Sequence, residues 1–225
     1  MRRELVTAFI AVIVFTILLG FAYPMLVTGV SQVVFTGKAD GSLLKRGGVV
    51  VGSALIGQQF YEPVIGKNGK PVTVKGVVQT QPDPRYFQTR PSGTGAPYVT
   101  GGTPDNAAGS AFSNAGPNDL STKQDDQYNI GVYLKLEKPY DPGLTVATIP
   151  VDAVTSSASS VDPDISVANA DIQAHRIATV RQLSLAVVHK LIGTYTQGNS
   201  LGFMGEPGVD VLQINLALDR LTGSK

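Results

Sequence analysis

The chain opens on an unbroken apolar run and then changes character. From Leu5 to Val30 no charged side chain interrupts LVTAFIAVIVFTILLGFAYPMLVTGV. As a helix rising about 1.5 Å per residue, that run reaches roughly 39 Å, enough to cross a hydrocarbon core of about 30 Å with some tilt. Arg2 and Arg3 give it a positive leading end, a property shared with secretory signals. A signal's apolar core of only about 7 to 15 residues, ending in an A-x-A-like cleavage site, fits poorly, so an uncleaved anchor is expected. Within the run Thr16, Gly20, Pro24 and Thr28 recur every four residues. Such a stripe of small residues drifts slowly around a helix and lets a partner helix come close, and a kink is expected where Pro24 opposes the carbonyl of Gly20. The plainer reading stands beside it: Gly and Pro are commoner in membrane helices than in soluble ones.

Past Ser31 the pattern breaks into short pieces punctuated by glycine. Val49 to Val51 reads as a short strand, residues 53–58 as a strand or tight loop, and Val64 to Val78 as an exposed β-ribbon turning at Asn68-Gly69. Arg90 to Thr122 is rich in Gly, Ala, Ser, Thr, Asn and Pro and reads as a long ordered loop laid over the fold. The β-branched and aromatic content of Ile130–Leu136 and Leu144–Val151 predicts two further strands. The last third is helical in period. Ser166 caps a helix to about Val180 with Ile172, Ile177 and Val180 apolar, and Ser184 caps a second that ends near Gly198. A third runs from about Val209 to Leu221, with Val211, Leu212, Ile214, Leu216, Leu218 and Leu221 on one broad face and Gly223 after it. Strands early and helices late predict an α+β protein: a single N-terminal transmembrane helix over residues 1–31, followed by one mixed α+β extracytoplasmic domain over 32–225.

Charge sets the expected sidedness. The whole chain has 18 Lys+Arg and 17 Asp+Glu; setting aside Arg2, Arg3 and Glu4 leaves 16 of each beyond the apolar run. Positive charge is therefore concentrated before the span, which predicts a cytoplasmic N-terminus and a neutral domain on the far side. A net charge of +1 lacks the basic footprint of a nucleic-acid binder, and the absence of Cys excludes disulfides, Cys zinc sites and Cys nucleophiles.

Candidate chemistry is sparse. Each Gly-Lys pair is followed by Ala39, Asn68 or Pro71 rather than by Ser or Thr, so no phosphate-cradling P-loop exists, and the Asp-Lys-Thr-Gly run of P-type ATPases is also missing. His175 and His189 stand 14 residues apart, too far along one helix to share an ion, and read as surface or helix-end residues, His175 in the polar run Gln173-Ala174-His175-Arg176. No metal ligands are expected. The serines read as ordinary polar residues without a nucleophile elbow, and Asp162-Pro163-Asp164 as a turn into the helix capped by Ser166.

A series of short motifs, in order, covers nearly the whole chain. It begins with Tyr23-Pro24, Gly41-Ser42-Leu43, residues Gly52 to Gln58 (GSALIGQ) with Phe60, Tyr86-Phe87, Arg90-Pro91-Ser92, and Ser113-Asn114 with Gly116-Pro117. It continues through Val154-Thr155, Ser157-Ala158-Ser159, Asp162-Pro163, Ile165-Ser166, Arg176-Ile177-Ala178, Gly205-Glu206-Pro207 and Asn215-Leu216-Ala217-Leu218-Asp219. On these residues the chain resembles the C-subunit family (KdpC) of the bacterial Kdp high-affinity potassium-transporting P-type ATPases. Two inserts depart from the family pattern, at about 62–85 and 120–149; in the second, a strand-like passage stands where relatives look helical. Gln88-Thr89 before Arg90 also replaces an aromatic-Gly-Arg pattern.

The resemblance implies an accessory, noncatalytic subunit in the cell (inner) membrane that stabilises the assembly and aids potassium access or nucleotide binding. Its partners would be a channel-like potassium-binding subunit, an ATP-hydrolysing subunit and the lipid bilayer. It needs no cofactor in this chain, while the complex uses ATP, Mg and K. Gln58 is the residue the resemblance links to nucleotide, although the charge argument sets it outside the cytoplasm and favours a glycine-framed structural segment. The rival expectation is an independent membrane-anchored enzyme or solute-binding domain using the two histidines.

Overall fold

The computed structural model describes residues 2–92, 110, 114–199 and 201–223. The chain forms two compact units, Met1–Ser53 and Ala54–Lys225. The expected loop over Arg90–Thr122 lies largely outside the described residues.

In the first unit the apolar run is helical from α1 (Arg2–Ile17) through one π-turn (Leu18–Ala22) into α2 (Tyr23–Val34). Pro24 explains the wide turn. It has no N–H to donate to Gly20 and its ring would strike that carbonyl, so the helix loosens there and the Tyr23 N–H reaches back to the oxygen of Leu18. Apolar side chains stay open along the whole length, as with Phe9, Phe21 and Leu26. In water such a surface would be untenable; in a bilayer it is the required one. After the single turn α3 (Thr36–Ala39), strands β1 (Leu43–Arg46) and β2 (Val49–Ser53) form an antiparallel hairpin around Gly47 and Gly48, both left-handed.

The second unit begins with the ribbon. β3 (Tyr61–Pro63) pairs with β6 (Thr80–Pro82), and β4 (Thr73–Val74) with β5 (Val77–Val78), while an Ile65–Pro71 bridge closes the turn that holds Asn68-Gly69. The expected strand over Ile130–Leu136 is instead part of an 18-residue helix, α4 (Leu120–Glu137), whose N-cap Asp119 accepts a hydrogen bond from the Ser121 N–H. The buried side of α4 carries Asn129, Tyr133 and Glu137. Two of these three are polar, so the helical period is absent from the hydrophobic pattern. Leu144–Val151 is likewise not a strand but two short 3-10 turns, Val146–Thr148 and Val151–Ala153, the first closed by a reciprocal Thr145–Thr148 capping box.

The C-terminal helices match expectation closely. They are α5 (Val167–Val180) capped by Ser166, α6 (Leu185–Tyr195) capped by Ser184, and α7 (Val211–Thr222) capped by Asp210 and ended by left-handed Gly223. On α7 the buried face differs: Asn215 and Asp219 are inside and Leu221 is exposed. These helices pack with a three-stranded sheet, order β7 (Asp164–Ser166), β9 (Gly208–Asp210), β8 (Thr196–Gln197). Asp162-Pro163-Asp164 therefore leads into a strand rather than directly into a helix. One apolar core holds Phe87, Ile165, Ile177, Val188, Ile214 and Leu218, a smaller one Tyr133, Leu144, Ala153 and Val154, and α5 faces both, through Ile177 and Ile172.

Asp164 sits across the sheet from Asp210. Burial, then the carboxylates of Asp210 and Asp162, push it from 3.8 up to about 6, and its Oδ1 has no hydrogen-bond partner. A raised folded-state value means that Asp164 favours folding below its unfolded value and loses that contribution as pH rises through about 6. Asp164→Asn is expected to raise the thermal midpoint at pH 7.5, with the gain shrinking below pH 5 where the wild-type carboxyl is already protonated. An equal shift at both pH values in calorimetry would refute this assignment.

Candidate functional site

The most organised polar assembly lies where residues 83–92 cross the second unit. This strap has no strand partner, yet Asp83, Phe87, Gln88, Thr89 and Ser92 are buried. A buried backbone must find donors and acceptors somewhere, and here side chains supply them. The Phe87 N–H donates to Asn215 Oδ1 at 2.9 Å while Asn215 Nδ2 donates to the Phe87 carbonyl at 2.9 Å. One residue on, the Gln88 N–H donates to Gln173 Oε1 at 2.8 Å and Gln173 Nε2 donates to the Gln88 carbonyl at 3.1 Å. Two side-chain amides, one from α7 and one from α5, thus imitate the two-way pairing of a β-ladder.

Guanidinium groups hold the preceding carbonyls. Arg176 Nη1 donates to the carbonyls of Pro84 at 2.6 Å and Tyr86 at 2.9 Å, and Arg181 Nε to that of Arg85 at 2.6 Å. Arg176 is completely buried and is neutralised by Glu137 of α4, 1% exposed, through Nε at 3.0 and 3.1 Å; its Nη2 donates to Gln173 Oε1 at 2.9 Å. Burial pushes the Glu137 carboxyl above its ordinary value, and the charge and hydrogen bonds of Arg176 oppose that rise. Arg181 also pairs with Asp219 at 2.9 Å and lies 4.6 Å over the Tyr86 ring, which stacks on Phe60 at 4.9 Å. The Tyr86 hydroxyl donates to Asp219, and desolvation, with Asp219 close by, raises its pKa.

The network continues away from the strap. Gln173 Nε2 and the Tyr133 hydroxyl both donate to Asn169 Oδ1, Asn169 Nδ2 donates to Asp152, and Asp152 accepts from the N–H and hydroxyl of Ser166. Chemically this arrangement fastens segments together. Its charged and amide groups are occupied by backbone and by one another.

The structure does not assemble the residues singled out from sequence into one centre. Thr16, Gly20, Pro24 and Thr28 are exposed on the apolar helix, and a Cβ at Gly20 would meet nothing nearer than Thr16 Cγ2 at 3.9 Å. Gln58 is exposed in the second unit, directly after Gly57. Gly57 itself is constrained: its N–H donates to the Val161 carbonyl at 2.7 Å, and a Cβ there would collide with the Asp162 carbonyl. His175 is on α5 and His189 on α6, the latter exposed and 3.9 Å from Asp171. Among the described residues no three of His, Cys, Asp or Glu are grouped to hold a metal.

The spacing of a serine elbow does occur once, contrary to the reading of the serines above, in Gly198-Asn199-Ser200-Leu201-Gly202. It falls between β8 and β9 rather than at a strand-to-helix turn, which is the context that exposes a nucleophile. Sequence reasoning missed Glu137 and Arg181 and the roles of Gln173, Arg176 and Asn215. Their signal was spacing: Ala170, Ala174 and Ile177 share the buried face of α5 with Asn169, Gln173 and Arg176, at helical intervals.

Replacing Arg176 with Leu should destabilise the domain by about 3–5 kcal/mol, because Glu137 is left charged and buried and the strap carbonyls lose their donor. The double change Arg176→Leu with Glu137→Leu should recover only part of this, since the Pro84 carbonyl stays unpaired. Denaturant unfolding measures both, and full recovery in the double variant would contradict the role given to the strap.

Comparison with known proteins agrees with the resemblance seen in the sequence. The family described as K+-transporting ATPase, c chain matches residues 5–220. The Potassium-transporting ATPase KdpC subunit of Methylococcus capsulatus is 42% identical over 214 residues, 95% of this chain and 96% of that protein. The protein of the same name from Mycobacterium tuberculosis H37Rv is 40% identical over 222 residues, 98% of this chain and all of the relative. That from Bradyrhizobium diazoefficiens is 39% identical over 225 residues, covering 98% of each.

Proposed function

The chain belongs to the K+-transporting ATPase c-chain family, KdpC, and from that membership we propose that it is a noncatalytic, accessory subunit of an ATP-driven potassium import complex. This membership displaces the alternative of an independent anchored enzyme or solute-binding domain. The observation that carries the accessory role is the occupation of the polar groups in the second unit. Arg176, Glu137, Arg181, Asp219, Gln173 and Asn215 are all used to hold the strap, which suits a rigid docking body. In this reading ATP, Mg and K belong to the complex: hydrolysis is carried by one larger partner and the potassium path by a second, channel-like one. The bilayer takes the apolar helix.

The helix Arg2–Val34 is long and apolar enough to span, and the positive charge of Arg2 and Arg3 at its start supports a cytoplasmic N-terminus. The second unit then lies outside, in the cell envelope, where ATP is scarce. Gln58 is accordingly assigned to the segment that Gly57 seats against Val161 and Asp162, not to nucleotide.

Reporter fusions at each end of the chain test this topology: phosphatase activity is expected only at the C-terminus, and a cytoplasmic C-terminus would overturn it and restore a nucleotide role to Gln58. The purified chain alone should show no ATP hydrolysis and should co-purify with two larger membrane subunits; hydrolysis by the chain alone would overturn the noncatalytic assignment.

The helix stripe is assigned to a partner helix. Gly20→Leu should weaken association by about 1 kcal/mol, read as lower complex recovery in detergent, whereas unchanged recovery would place that face against lipid.

A further inference from the structure

The β8–β9 hairpin carries an apolar tip that the described residues of the second unit leave largely open. Leu201 is 84% exposed and Phe203 76%, the two most open large apolar side chains among the described residues beyond the membrane helix, and Met204 beside them is 53% exposed. The tip is constructed rather than loose. Asn199 Nδ2 donates across it to the Gly205 carbonyl at 2.8 Å, and the Gly202 N–H donates to the Asn199 carbonyl at 3.1 Å. Leu201 itself is left-handed, with φ 55°, beside left-handed Gly202 and Gly205. That conformation is unfavourable for a non-glycine residue, and Leu201, 84% exposed, has little burial to offset it.

Charge decides between a lipid surface and a protein socket. Loops that dip into a bilayer are helped by flanking Lys or Arg, which anionic headgroups attract. Between Lys190 and Arg220 this chain has no cation, and the charge beside the tip is the carboxylate of Glu206. An apolar tip bearing Leu, Phe and Met with an acidic flank is suited to a concave, desolvated pocket ringed by basic groups.

We propose that Leu201, Phe203 and Met204 form a plug that seats in an apolar socket, with a Lys or Arg at its rim for Glu206, on another subunit of the same complex. The inference rests on the accessory-subunit reading and adds the surface and the chemistry of the partner. The left-handed Leu201 presents the plug ahead of docking, so little ordering is left to be done on contact.

The test uses the full-length chain co-expressed with the rest of the complex. Leu201→Ser combined with Phe203→Ser should lower complex recovery by about tenfold or more, the loss expected when a buried anchor is truncated, and Glu206→Lys should lower it severalfold. The thermal midpoint of each isolated variant should match wild type, because Leu201, Phe203 and Glu206, the residues changed, are exposed. The natural chain has no Trp, so Phe203→Trp is a single reporter: its fluorescence should be open to iodide in the chain reconstituted alone in phosphatidylcholine–phosphatidylglycerol vesicles and shielded in the complex. Undiminished recovery of the double-serine variant, or iodide shielding in vesicles without partners, would overturn the proposal. If wild type itself failed to co-purify with larger subunits, it is the accessory-subunit reading that would fall.

Discussion

The second unit depends on one buried ion pair. Arg176 and Glu137 are withdrawn from water almost completely, at a desolvation cost of several kcal/mol per ion. Such a pair is tolerated only when its remaining donors are met, and here all three nitrogens of the guanidinium are used: on Glu137, on two strap carbonyls and on Gln173. The result is a three-way junction of α4, α5 and residues 84–86. Because α5 touches both apolar cores through Ile177 and Ile172, removing the charge balance at Arg176 would disturb both at once. Hydrophobic burial supplies most of the driving force, but this junction determines which segments are brought together.

The two units answer to opposite solvents. In the apolar helix of the first, large side chains such as Phe9, Phe21 and Leu26 face outward and the backbone bonds to itself, the arrangement that hydrocarbon demands. Pro24 interrupts that economy at one place, and the π-turn before it reroutes a hydrogen bond rather than losing it. In the second, backbone that belongs to no helix or sheet is buried and is satisfied by Asn, Gln and Arg side chains.

Much of this was legible beforehand, and the exceptions share a cause. The membrane run and the helices capped by Ser166 and Ser184 follow from apolar pattern and cap chemistry, which act locally. α4 was hidden because its inward side is Asn129, Tyr133 and Glu137, so a search for apolar periodicity found only β-branched residues and read a strand. Arg176 and Gln173 looked like surface residues for the same reason: partners forty to ninety positions away leave no local trace. The resemblance had marked Tyr86-Phe87, Arg176-Ile177-Ala178 and Asn215 as separate motifs, without indicating that they meet. Gln58 stood out in the same way, yet the constrained member of its motif is Gly57, which only the nearness of Asp162 reveals.

The ribbon between Tyr61 and Pro82 departs from the body of the unit and comes back to the spot it left. Tyr61 pairs with Pro82, the Asp83 N–H donates to the Phe60 carbonyl at 2.9 Å, and Phe60 stacks on Tyr86. The register of the strap is set downstream, by Asn215 and Gln173 on Phe87 and Gln88. The excursion is thus topologically a closed stem, and evolution is free to lengthen, trim or redecorate it without re-threading anything behind it. That closure lets the length of this stem vary without moving the strap behind it.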